Sequence, residues 1–187
     1  MESSSQIKKY LKKKGGFNLA KIVIKSEILE MMLYIWDSVH QKEKIADSFF
    51  IGLSDQTDMK YLYDEDFTKE SVRKVLSAMS NRELLNKPTK KESRYWNKNM
   101  WMLEDLEFTN MMIAPVKQLN LDYMEDKLSK EEYEVIFIPG HMDEYYIDEN
   151  KLIINFFNIT VDLFGEGPVT IAGKPLKEYI EEKLLSI

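Results

Sequence analysis

His141, Asp143 and Glu144 form the one compact group of potentially reactive side chains in a chain of 187 residues. Imidazole and carboxylates are ordinary ligands of divalent metals and ordinary partners in proton transfer, so this group is a candidate centre for a divalent metal or for acid/base chemistry. In an extended segment successive side chains point to opposite faces, which keeps His141 and Asp143 on one side and sends Glu144 to the other. A shared ion would then need a third ligand from elsewhere, with Glu104, Asp105 and Glu107 as candidates. The plainer alternative is a His141 that hydrogen-bonds near a strand end after the Pro139-Gly140 turn, with both carboxylates solvated.

Lys87 to Trp101 is the internal stretch where basic and aromatic residues interleave. Trp96, Met100 and Leu103 share one helical face and are expected in the core. Arg94, Asn97, Lys98 and Trp101 fall partly elsewhere and are candidate contacts for a protein partner or an anion. Cations beside aromatic rings also suit single-stranded nucleic acid. A net charge of −6 opposes that reading, because affinity for phosphate backbones rests on cations displacing counterions. The only arginines are Arg73, Arg82 and Arg94, so two-point recognition of phosphate has few side chains to use.

Other chemistries have less support. With no cysteine, disulfides, thiolate metal sites and cysteine nucleophiles fall away, as suits a reducing compartment. His40 closes a helix, where a protonated imidazole complements the negative terminus. Gly15-Gly16 lies in a basic tail and Gly165-Glu166-Gly167 is followed by Pro168, so neither is a phosphate loop. The acidic groups Asp64-Glu65-Asp66 and Glu104-Asp105-Leu106-Glu107 offer metal sites or negative patches facing a basic partner, against the plainer reading that they are solvated.

The elements that must position these groups are helical first and extended later. Residues 1–16 are expected to be a basic N-terminal arm, with a single α+β domain over 17–187. Ile28, Met31, Met32, Ile35, Trp36 and Val39 repeat at helical spacing behind Ser26, a potential cap, and predict a core helix to His40. Two short helices broken near Gly52-Leu53-Ser54-Asp55 fit residues 43–63. Thr68 is expected to cap another helix, with Val72, Val75, Leu76 and Met79 on its buried face. Thr89-Lys90-Lys91-Glu92 matches the capping box, in which hydroxyl and carboxylate satisfy free backbone N–H groups, and starts a helix expected to run to about Met111 with Pro115 blocking extension.

After Pro115, Val116, Leu119 and Leu121 suggest a strand. Tyr133 to Phe157 then reads as a three-strand antiparallel meander, with Glu149-Asn150 as a two-residue turn that sets Asp148 opposite Lys151 and Tyr145 opposite Ile154. Ile159 to Phe164 continues as strand or short helix, Val169 to Ile171 is a short strand, and Gly173-Lys174-Pro175 opens a closing helix. The expected fold is α+β: a mainly helical N-terminal part on a C-terminal antiparallel meander of about four to five strands, with a C-terminal helix over it.

Neither a signal-peptide core nor an apolar run of membrane-spanning length is evident, so a cytoplasmic protein is expected, and heavy Lys, Ile and Asn usage suits an AT-rich bacterial genome. The leading functional expectation is a non-catalytic module for protein interaction or self-association. A metal-assisted hydrolase or acid/base enzyme centred on His141 and Asp143 is the alternative. An acidic neutralising partner of a basic protein is the third.

Overall fold

The computed structural model describes residues 19–162 and 167–187. The expected basic arm over 1–16 lies outside these residues, as do 163–166, which hold the end of the element expected over 159–164 and the start of the turn after it. The fold is α+β, as the sequence predicts.

A short strand, β1 (Lys21–Lys25), feeds directly into α1 (Glu27–His40) through Ser26. Ser26 occupies the cap position without a side-chain cap hydrogen bond; its carbonyl accepts the Glu30 N–H at 2.9 Å. The α1 stripe is buried as its spacing predicts, with Ile35 and Trp36 fully enclosed. Residues 43–63 carry α2 (Asp47–Ser54) and a 3-10 segment, Thr57–Leu62, on either side of the expected break. Next come α3 (Lys69–Asn81), α4 (Lys90–Glu104) and α5 (Leu106–Lys117). Thr68 holds the cap position of α3 without a side-chain cap hydrogen bond, while Val72, Val75, Leu76 and Met79 are buried as expected. The capping box is formed: Thr89 Oγ1 accepts the Glu92 N–H at 3.1 Å, and Glu92 Oε2 accepts the Thr89 N–H at 3.0 Å.

The single helix expected through Leu106 is instead two. Asp105 leaves helical geometry at φ −129° and its carboxylate accepts the Phe108 N–H at 2.9 Å, so it ends α4 and caps α5. Pro115 does not stop α5. It sits in the last turn, where the missing N–H costs little more than one hydrogen bond. The strand expected over Val116 to Leu121 is therefore replaced by helix end and loop, with Val116 and Leu121 buried as side chains of that connection.

The sheet corrects the meander. Its order is β1-β2-β4-β3, where β2 is Glu132–Ile138, β3 is Tyr145–Asp148 and β4 is Lys151–Asn155. The β3–β4 hairpin has the expected register, from Asp148 opposite Lys151 to Tyr145 opposite Ile154. Glu149 takes a φ of 56° at the first turn position, as a two-residue hairpin of the tighter kind requires. However, β2 pairs with β4, in parallel, and β1 pairs with β2, also in parallel.

Burial explains this order. Val135 to Ile138 and Leu152 to Ile154 are apolar on both faces and almost completely enclosed, which belongs at the centre of a sheet covered on both sides. Tyr145-Tyr146-Ile147-Asp148 is only half covered and is left at the edge. A smaller antiparallel sheet, β5 (Ile159–Thr160), β6 (Thr170–Ile171) and β7 (Lys174–Pro175), leads into α6 (Leu176–Leu185). The buried stripe of α6, Leu176, Tyr179, Ile180 and Leu184, is the expected one.

Candidate functional site

His141 leaves the end of β2 on the Pro139-Gly140 turn and points inward. It is only 6% exposed, its Nε2 lies 2.8 Å from the Leu62 carbonyl oxygen, and its ring sits 4.3 Å from that of Phe67. Nε2 therefore carries a proton that it donates to that carbonyl. Asp64 Oδ2 is 4.0 Å away and engaged elsewhere, at 2.7 Å from Lys91 Nζ. The hydrogen bond from Lys91, helped by the Asp66 N–H, holds the Asp64 carboxyl below the usual carboxylate range.

Asp143, two residues on, is exposed. Glu144 turns toward α6, where its carboxylate accepts the Tyr179 hydroxyl at 3.0 Å. His141, Asp143 and Glu144 thus face three surroundings. Among the described residues no group of three or more histidine, aspartate or glutamate side chains is placed to hold a metal ion. Glu104 and Glu107 are exposed, and Asp105 is used as a helix cap.

What organises this loop is a residue that strand patterning places on a polar face. Asn155, 3% exposed at the end of β4, accepts the Gly140 and Phe157 N–H groups through Oδ1, both at 3.2 Å. Its Nδ2 donates to the Gly140 carbonyl at 3.2 Å and the Met142 carbonyl at 2.8 Å. Gly140 fits because it lacks a Cβ, which would collide with the Cδ2 methyl of Leu62. The parallel pairing that sets Ile138 beside Asn155 brings the amide to this turn, so its role depends on tertiary contact.

The second sequence-derived group touches the first. Arg94 Nη1 donates to the His141 backbone carbonyl at 3.0 Å, tying α4 to the loop. Lys90, Arg94, Asn97, Lys98 and Trp101 lie on one side of α4 by helical spacing. Trp101 is 71% exposed, and Lys98 has no ion-pair partner among the described residues.

The inner face of α4 differs from expectation. Trp96, Met100 and Leu103 are partly buried at its flank, while Glu92, Tyr95, Asn99 and Met102 point to the core. Asn99 is fully enclosed: its Oδ1 accepts the Trp36 indole N–H at 2.8 Å, and its Nδ2 donates to the Tyr95 carbonyl at 2.8 Å. Burial pushes the Tyr95 phenol well up, so it stays protonated. Outside the core, His40 Nδ1 lies 2.7 Å from the Leu103 carbonyl, linking the end of α1 to that of α4.

No protein-family model, curated protein or solved structure matches this chain. No helix among the described residues is long and apolar enough to cross a membrane.

Proposed function

We propose that this is a non-catalytic protein-interaction module that receives an acidic partner segment on the outer side of α4, with Trp101 as the apolar anchor. The observation that carries this reading is an indole left 71% exposed one turn from Lys98, which has no ion-pair partner among the described residues, on a well-formed helix. Large aromatic side chains that become buried supply a disproportionate share of binding energy at interfaces, and tryptophan is prominent among them. Around it, Lys90, Arg94 and Lys98 make a cationic stripe on a chain whose net charge is −6, so the stripe complements an acidic segment. Arg94 is anchored by its bond to the His141 carbonyl, and its side chain stays exposed and charged beside Lys98 on the helix surface.

The test places a photo-crosslinkable phenylalanine analogue at the exposed Asn97, one turn from an intact Trp101, in the full chain and maps the captured peptide. The expected result is one predominant partner, an attachment point flanked by Asp and Glu, and capture lost with Lys98→Glu. Capture indifferent to that charge reversal, or no specific partner, overturns the reading.

A further inference from the structure

Among the described residues no strand pairs with the outer edge of β3, which provides a surface distinct from α4. The bond from the Asn155 N–H to the Glu144 carbonyl, 3.0 Å, fixes the phase of the hairpin ladder. Backbone groups of Glu144, Tyr146 and Asp148 face β4, and by alternation those of Tyr145 and Ile147 face away from the sheet.

The two outer strands are not alike. β1 carries Lys21 and Lys25 at its ends, the kind of charge that guards an edge against pairing. β3 has neither lysine nor proline, and Tyr146 is 56% exposed.

The β3 edge is also held rigidly in extended form. On one side Tyr61 packs 6.1 Å from the Tyr146 ring and donates its hydroxyl to Asp148 at 2.8 Å. On the other, Tyr179 packs 6.1 Å from the Tyr145 ring and donates to Glu144 at 3.0 Å. Lys60 lies 4.7 Å over the Tyr61 ring and Lys183 4.7 Å over the Tyr145 ring. An incoming strand meets an ordered backbone edge framed by tyrosine rings, with little conformational entropy left to lose.

We infer that this edge pairs antiparallel with the β3 edge of a second copy of the chain, giving a twofold dimer with one continuous sheet. The strand is self-complementary in one register. With the axis at Tyr146, Tyr145 of each copy exchanges hydrogen bonds with Ile147 of the other, which uses every outward backbone group of both residues. The two Tyr146 rings then form a directly opposed cross-strand pair, the closer of the two pair types. A register centred on Tyr145 or on Ile147 would draw Asp143 or the Glu149 turn into the ladder, and neither is strand. In the favoured register Glu144 opposes Asp148 of the second copy. Each of these carboxylates already accepts a tyrosine hydroxyl, and Lys183, above Tyr145, brings a cation to the strand end that receives that Asp148.

The chain has no cysteine, which makes a gain-of-signal test clean. Tyr146→Cys in the full chain would place the two thiol-bearing residues at an opposed pair about 4.5 Å apart between Cα atoms, close enough to bridge after a small adjustment. Mild oxidation is expected to yield a disulfide dimer rapidly, while Leu84→Cys, at a position 94% exposed, stays largely monomeric.

Light scattering of the cysteine-free parent should show a dimer, and Tyr146→Lys should weaken self-association roughly ten-fold or more. Ile147→Pro should do the same. Its missing N–H faces outward, so the bonds to β4 remain, and circular dichroism identifies any variant that has failed to fold. A parent that stays monomeric overturns the inference. So does a dimer in which Tyr146→Cys bridges no faster than Leu84→Cys and Tyr146→Lys has no effect. Lys98→Glu leaves the dimer intact, so this result and that for α4 are read separately.

Discussion

The indole N–H of Trp36 on α1 ends on the side-chain oxygen of Asn99 on α4, 2.8 Å away, and both residues are fully enclosed. This bond sets the rotation of α4 about its axis. It turns Asn99 and Tyr95 inward and leaves Trp101 on the opposite, solvent side. Asn99→Leu should therefore cost about 2–3 kcal/mol in urea unfolding, chiefly because it strands a buried indole donor. Trp36→Phe in the Asn99→Leu background removes that donor, so the double variant should be less destabilised than the sum of the singles. Simple additivity would show the bond to be energetically idle.

Glu92 makes the capping box sensitive to acid. Burial pushes its carboxyl up, but the Lys74 ammonium at 2.7 Å, the Thr89 N–H and the Ser71 hydroxyl outweigh it, and the folded value lies below the ordinary 4.5. A lowered folded value means stability that is present above the unfolded pKa and lost as pH falls through the folded one. Glu92→Gln should cost about 1–2 kcal/mol near pH 7, trimmed by the partial exposure of Lys74, and much less near pH 2.5. Thermal unfolding of both proteins across that range measures the convergence. A gap that widens in acid contradicts the assignment.

Those two contacts also show where sequence reading succeeds and stops. Thr89 and Glu92 were legible because the capping box is local: both partners lie within one turn. The β3–β4 register was legible for the same reason, since a two-residue turn fixes it and one face is markedly more apolar. Asn99 and Glu92 as inward-facing residues were not legible. Helical periodicity assigns polar side chains to solvent, and only Trp36 and Lys74, distant in sequence, reverse that assignment.

The parallel β2–β4 pairing was missed because a chain connected by a short excursion ordinarily forms neighbouring antiparallel strands. Here that excursion itself became the edge strand β3. β1 is five residues with a lysine at each end and little period-two signal of its own. The candidate His141 group was visible as residue types. The direction of His141 toward Leu62 and the tie from Arg94 depend on contacts 79 and 47 residues away in sequence.

Gly140 and Leu62 form a tight pair at the His141 turn. A Cβ on residue 140 would overlap the Leu62 Cδ2 methyl, and the Asn155 amide holds the Gly140 N–H and carbonyl so that the turn cannot simply swing away. Gly140→Ala should destabilise by about 1–3 kcal/mol through overpacking. In a Leu62→Ala background the same substitution should cost little, because the methyl it meets is gone. Denaturant midpoints of the four proteins in the cycle decide it, and an equal cost in both backgrounds would place the strain in the backbone instead.

Asn155 gives the most discriminating substitution, because aspartate has nearly its shape with the opposite hydrogen-bonding character on one arm. Oδ1 can still accept from the Gly140 and Phe157 N–H groups, but an ionised second oxygen would face the Gly140 and Met142 carbonyls that now receive the amide protons. At 3% exposure that charge has almost no water to stabilise it, so the new carboxyl should titrate above the ordinary value of about 3.9. For an acid whose folded pKa is raised, the protonated form is the better tolerated. Stability should be greatest below the unfolded pKa and decline as pH rises through the folded one. Asn155→Asp should therefore be destabilised by several kcal/mol near pH 7, on the order of 2–4, and recover part of this toward pH 4. Asn155→Ala, which loses the same bonds without adding a charge, should show no such recovery. Thermal unfolding of the two variants against the parent from about pH 4 to pH 8 measures the contrast. If both variants follow the parent at a constant offset, the amide does not face those carbonyls in solution.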